Sequence, residues 1–150
     1  RFADNQMSTA GAVTDGQLAV QSWFGPKHAV VTTNDLSEAS LRRCVEQSEV
    51  LARLAPDDPE AMPLLEPQQY VPVESYFDST AATDAGTRAR AALTALQPAR
   101  SAGDLKAAGY LVVGAGSTAL ANSKGMFAYH RGTSTNYTLT VRTTDGTGSG

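Results

Sequence analysis

The sequence predicts an α/β protein of the α+β type: a largely antiparallel sheet with two main helices packed on it, ending in a three-stranded meander. Three observations carry that expectation. Apolar and polar residues alternate between Arg1 and Asn34, switch to helical spacing in two later stretches, and return to alternation from Tyr110 onward. Alternation marks a half-buried strand, whereas steps of three and four mark one face of a helix.

In "QLAVQSWF", Leu18, Val20 and Phe24 alternate with Ala19, Gln21 and Trp23, and "HAVVTT" repeats the strand character after "GPK". This predicts a hairpin turning at Gly25-Pro26. In "NDLSEASLRRCVEQSEVLARLAP", Leu41, Cys44, Val45, Ser48, Leu51, Ala52 and Ala55 define a helix face. Asp35 and Glu38 stand where they can satisfy unpaired amides, and Pro56 ends the helix for want of a donor. From Pro56 to Thr80 five prolines and little periodicity predict an irregular stretch that packs or binds. A second helix is expected from near Thr83 to Gln97, with Ala85, Ala89, Ala92, Leu93 and Leu96 on one face and Pro98 closing it. The meander follows as Tyr110 to Ala121, Met126 to Arg131 and Thr135 to Thr144, separated by "NSKG" and "GTS". In the last run Tyr137, Leu139 and Val141 oppose Thr138, Thr140 and Arg142. The closing "DGTGSG" reads as a turn or a cut end with nothing beyond it to pair.

The chain of 150 residues suits one domain, residues 1–150. Its net charge of −3 offers no electrostatic footprint for nucleic acid. The arginines at 42, 43, 88, 90 and 100 read as solvated helix faces. No apolar run approaches the roughly 20 residues that cross a bilayer. A single cysteine, Cys44, cannot form an internal disulfide, which fits a reducing compartment, and its spacing makes it a small core residue.

"VVGAGSTALANSKG", Val112 to Gly125, has glycines after an apolar run, as a dinucleotide site would. Such a site needs a strand-to-helix turn and an acidic residue about 20 positions on. Here a turn signal arrives at Asn122, and no acidic residue lies between Gly116 and Asp145. The stretch is instead expected to be a strand whose glycines let a helix approach closely. His28 and His130 have no metal-ligand neighbours at helical spacing, the carboxylates of "PDDPE" repeat no calcium-loop pattern, and no serine sits in a nucleophile elbow. No catalytic and no metal-binding residue is assigned. The speculative cavity or interface residues are Asn5, Asn122 and Arg131, polar groups at turns or strand ends, for which turn chemistry and solvent exposure are the plainer roles.

Separated strings come together in one order: "RFADNQMST", "VVTTNDLSEASLRRCVEQSEVLARLAPDDPEAMPL" and "GYLVVGAGSTALANSKGMFAYHRGTSTNYTLTVRTTDGTGSG". Their order and spacing resemble the N-terminal domain of the TldD/PmbA family, once called modulators of DNA gyrase. The resemblance implies a cytoplasmic protein about three times this length, whose C-terminal domain carries zinc in the catalytic branch. It implies a peptidase acting on peptides or unfolded proteins, working as a homo- or hetero-dimer, with this domain helping to enclose substrate and form the dimer. None of the zinc ligands maps onto this sequence, so no cofactor is expected in this chain, and any zinc is expected in the C-terminal domain, as in the catalytic branch. The alternative is a non-catalytic PmbA-like partner subunit or interaction module. Dinucleotide binding at Gly114 and Gly116 is a third reading. Neither nucleic acid nor membrane is expected as a partner.

Overall fold

The two-residue loop Gly25-Pro26 joins the first long hairpin. In a computed structural model describing residues 1–150, Gly25 has φ 63°. Proline cannot take a positive φ at the next position, so a type I′ turn is excluded and type II′ remains, the twist of which suits a hairpin.

The chain folds as two units, Val13–Leu64 and Arg1–Ala12 together with Leu65–Gly150. In the first, β3 (Leu18–Phe24) pairs antiparallel with β4 (Lys27–Thr33), and α1 (Glu38–Leu54) covers the hairpin. The helix starts one turn element later than Asp35 suggested: Ser37 is the N-cap, accepting from the Ser40 amide. Asp35 supports the cap from outside, accepting from the Ser37 amide and the Ser40 hydroxyl. The buried stripe also differs from the expected one. It consists of Ser40, Cys44, Ser48 and Ala52, while Val45 and Leu51 are exposed. Small side chains at four-residue steps let the helix axis lie close to the hairpin. Ser48 is wholly buried, with its hydroxyl 2.8 Å from the Val45 carbonyl and 2.6 Å from Ser22 Oγ. Cys44 is buried as expected, its thiol 3.3 Å from the Val31 carbonyl.

The second unit is built on a sheet of order β2-β1-β5-β6, all antiparallel, with β1 (Phe2–Ala3), β2 (Gln6–Met7), β5 (Leu105–Ala121) and β6 (Phe127–Thr143). Two helices, α2 (Asp78–Ala81) and α3 (Ala85–Ser101), belong to it. Phe2, Ala92, Leu96, Ala99 and Ala107 form its core, with Leu105, Leu139 and Val141 packed against them. The alanine face of α3 is therefore the inward one, as its spacing indicated, although Ala85 itself is exposed. Pro98 does not close this helix. It lies inside the final turn, and burial of Ala99 carries the helix on to Ser101.

The α+β class holds, but the expected meander is a two-stranded hairpin. "GTS" is no turn: Gly132 sits directly opposite Gly116, and β6 runs unbroken past it in a ladder that keeps register from Leu105↔Thr143 to Ala121↔Phe127. A glycine in a strand is weak evidence for a turn when its cross-strand neighbour is also small. The C-terminal stretch is a turn, one of the two readings expected of it, but it pairs back on the sheet. Gly146 turns the chain at φ 77°, and Gly150 then exchanges hydrogen bonds with Val141 on the outer edge of β6.

Candidate functional site

Asn5 occupies the second position of a tight turn in which Asp4 and Asn5 both have positive φ, 48° and 63°. Asn tolerates that left-handed conformation better than most residues. Its amide then clamps the edge of β5: Nδ2 donates to the Leu105 carbonyl at 2.7 Å, and Oδ1 accepts from the Ala107 amide at 2.8 Å. The backbone amide of Asn5 adds a bond to the Ala107 carbonyl. The side chain thus extends the sheet beyond β1.

Asn122 begins the tip of the β5–β6 hairpin. Its Oδ1 accepts from the amides of Lys124 and Met126, and its Nδ2 donates to the Leu65 carbonyl at 2.8 Å. Lys124 pairs with Glu66 at 2.6 Å beside it. Arg131 lies farther along β6, its guanidinium 4.4 Å from the centre of the Tyr76 ring. The structure does not bring the three residues together. Asn5 is bonded near the start of β5 and Asn122 follows its end, a span of roughly 50 Å at about 3.3 Å per residue.

The proline-rich stretch is divided between the two units at Leu64 and Leu65. Its first part follows α1, where the Asp58 amide donates to the Pro26 carbonyl. Asp58 caps the Glu60 amide and stands 3.5 Å from His28 Nδ1, whose ring stacks on Trp23. Its later part runs along the outer edge of β6, where the Thr133 amide donates to the Ser75 carbonyl. Ser75 Oγ donates to the Arg131 carbonyl at 2.8 Å and lies 3.3 Å from His130 Nε2. With the hydroxyl proton committed to the carbonyl, the imidazole faces Ser75 as a donor. Nucleophile activation requires the reverse.

Gly114 does line a cavity of about 450 Å³, along with Ala10–Ala12, Thr83–Ala85 and Arg88. Its chemistry does not suit a phosphate. The strand continues beyond Gly116 to Ala121 with no helix after it, so the glycines are not at a strand-to-helix turn. The nearby N-terminus of α3 is already capped by Asp84, whose Oδ1 accepts from the Thr87 amide at 2.6 Å, and that bond holds the carboxyl below its ordinary range. Arg88 spends its guanidinium on the carbonyls of Thr83 and Gly11. Nor does a helix press on these glycines: a Cβ at Gly116 would have nothing within 4 Å. The glycine that close approach requires is Gly109, where a Cβ would overlap the Thr138 carbonyl and lie 2.9 Å from the Phe2 ring.

No three His, Cys, Asp or Glu side chains converge in a way that could hold a metal ion. The residues present therefore do not fit zinc. No helix is long and apolar enough to cross a membrane.

These features define an α+β fold: an antiparallel sheet with a long hairpin of two 17-residue strands. Among solved structures the chain is similar to TldE from Thermococcus kodakarensis, with a TM-score of 0.80 and 15% identity, over 91% of this chain and 30% of that one. At that identity the likeness speaks to fold, and the fold is the one that the TldD/PmbA resemblance implied. The chain spans 30% of the length of the matched protein. No protein-family model matches the sequence, and no curated protein matches it either.

Proposed function

We propose that this chain is the non-catalytic scaffold domain of a cytoplasmic TldD/PmbA-like peptidase that processes peptides or unfolded proteins, helping to enclose the substrate and to join subunits. The observation that carries the reading is the likeness to TldE over 91% of the chain. The composition of the hairpin is consistent with it: β5 and β6 present hydroxyls, glycines and exposed aromatics and carry no carboxylate. On this reading zinc is bound by residues outside this sequence, and the domain described here contributes no ligand to it. The test is to express the longer protein that contains these residues, measure its zinc content, and assay cleavage of an unfolded peptide with and without a chelator. Zinc binding with chelator-sensitive cleavage supports the proposal. A protein that neither binds zinc nor cleaves peptide, alone or with a second family subunit, refutes it. Zinc-free protein that becomes part of an active complex only with such a subunit identifies it as the PmbA-like partner.

A further inference from the structure

His28 holds a buried ring nitrogen that nothing in the fold satisfies. Its Nδ1 has no hydrogen-bond partner, and Asp58 Oδ2 stands 3.5 Å from it, at the far limit of a hydrogen bond. The face of the ring stacks on Trp23 across the strand pair, with centroids 4.3 Å apart. The carboxylate is kept in place by bonds that do not involve the histidine. The Asp58 amide donates to the Pro26 carbonyl at 3.0 Å, its Oδ1 accepts from the Glu60 amide at 2.8 Å, and its carbonyl accepts from the Ala61 amide at 3.2 Å. The remaining oxygen, Oδ2, is the one beside the ring. No other charged group faces the imidazole. β3 has no titratable side chain, and Lys27 alternates to the opposite face of the hairpin, where α1 packs and Arg53 lies over the Phe24 ring. Asp57 and Glu60 are exposed and make no ion pair.

We infer that His28 and Asp58 form a proton-operated latch, which fastens the start of the proline-rich stretch to the end of the β3–β4 hairpin when the imidazole is charged and loosens it when the imidazole is neutral. A neutral ring with its hydrogen on Nε2 sets two acceptors against each other, and one with its hydrogen on Nδ1 offers only an uncharged donor. The imidazolium offers a charged donor to a carboxylate already in place, which is the stronger kind of bond. Because the closed latch favours the proton, closure strengthens as pH falls through the ordinary histidine range, near 6.5, and is lost as pH rises through it. Below about pH 4 the carboxylate itself takes a proton and the latch fails again. His130 is not built this way, for its Nε2 can donate to Ser75 in the charged ring and in one neutral form alike.

The latch lies within Val13–Leu64 and does not rest on the peptidase reading. Trp23 is the sole tryptophan and His130 belongs to the other unit, so indole emission reports the ring stacked on it. In the whole chain that emission should change as His28 charges between pH 8.5 and 4.5, and should stay flat in His28→Gln. Asp58→Asn keeps an acceptor for the Glu60 amide while removing the charge. It should weaken proton binding about threefold, read as a midpoint about half a unit lower, with an unchanged circular dichroism spectrum. Hydrogen exchange follows the loop itself: protection of the Glu60 and Ala61 amides, corrected for intrinsic rates, should be about threefold greater at pH 5.5 than at pH 7.5 in the wild type and equal at the two pH values in both variants. Wild-type emission that does not titrate, titration that persists in His28→Gln, an Asp58→Asn midpoint equal to that of the wild type, or loop protection that ignores pH would each overturn the inference.

Discussion

Replacing Asn5 by Ala removes two side-chain hydrogen bonds, at 2.7 and 2.8 Å, from the edge of β5 and leaves a Cβ residue at φ 63° without a local partner. A typical intramolecular hydrogen bond contributes about 1 kcal/mol net, and the left-handed conformation costs an ordinary residue about 1 kcal/mol. The expected loss for Asn5→Ala is therefore about 3 kcal/mol. Asn5→Gly loses the same bonds but not the backbone preference, and should cost about 2 kcal/mol. For a chain of this size the alanine variant corresponds to a fall in Tm of roughly 10 °C. Urea unfolding followed by tyrosine absorbance isolates the effect, because all five tyrosines lie in the unit that contains Asn5 while Trp23 lies in the other. An alanine variant within about 0.5 kcal/mol of wild type would refute the clamp, since that is the ordinary range for surface substitutions. Equal costs for the two variants would refute the backbone part of the argument.

Three further outcomes are expected. Gly109→Ala forces a methyl group against the Thr138 carbonyl and the Phe2 ring, and should destabilise the same unit by about 3 kcal/mol or more in the same assay. Ser48→Leu overfills the small-residue stripe under α1 and should cost about 2–3 kcal/mol, read from Trp23 fluorescence; Ser22→Ala should cost about 1 kcal/mol, because Ser48 keeps its bond to the Val45 carbonyl. The Asp35 carboxyl is held down to about 2, first by the Ser40 hydroxyl and then by Ser37. A depressed folded value contributes stability above the ordinary carboxylate range, near pH 4, that is lost as pH falls toward about 2. Asp35→Asn should therefore be less stable than wild type at neutral pH, with the gap closing over that acid window in Tm measured against pH.

Local periodicity made α1, α3 and the β3–β4 hairpin legible, because their signals lie within one turn or one strand of each other. The inward stripe of α1 was less legible. Val45 and Leu51 are the more hydrophobic residues, yet Ser48 and Ala52 are the ones small enough for close contact. Burial there follows fit rather than hydropathy. The continuity of β6 was hidden for a related reason, since "GTS" has turn composition and only the register with Gly116 shows that a strand can pass through it. Asn5, Asn122 and Arg131 are polar groups at turns or strand ends. What the local sequence could not show is that Asn5 and Asn122 direct their amides to backbone atoms 57 to 102 residues away. The approach of Asp58 to His28 was equally invisible, because α1 intervenes between them in the sequence and only its packing returns the chain to the end of the hairpin.

Phe2 pairs opposite Gly109, so the β-sheet joins two segments made more than a hundred residues apart. During synthesis at roughly 5–20 residues per second, that separation leaves the first strand waiting for about 5–20 s before its partner exists. The Val13–Leu64 unit faces no such delay, for all of its pairings are local. The order of emergence therefore lets the Val13–Leu64 unit gain tertiary structure before the sheet around it, and the Phe2 ring finds its place in the core only afterwards.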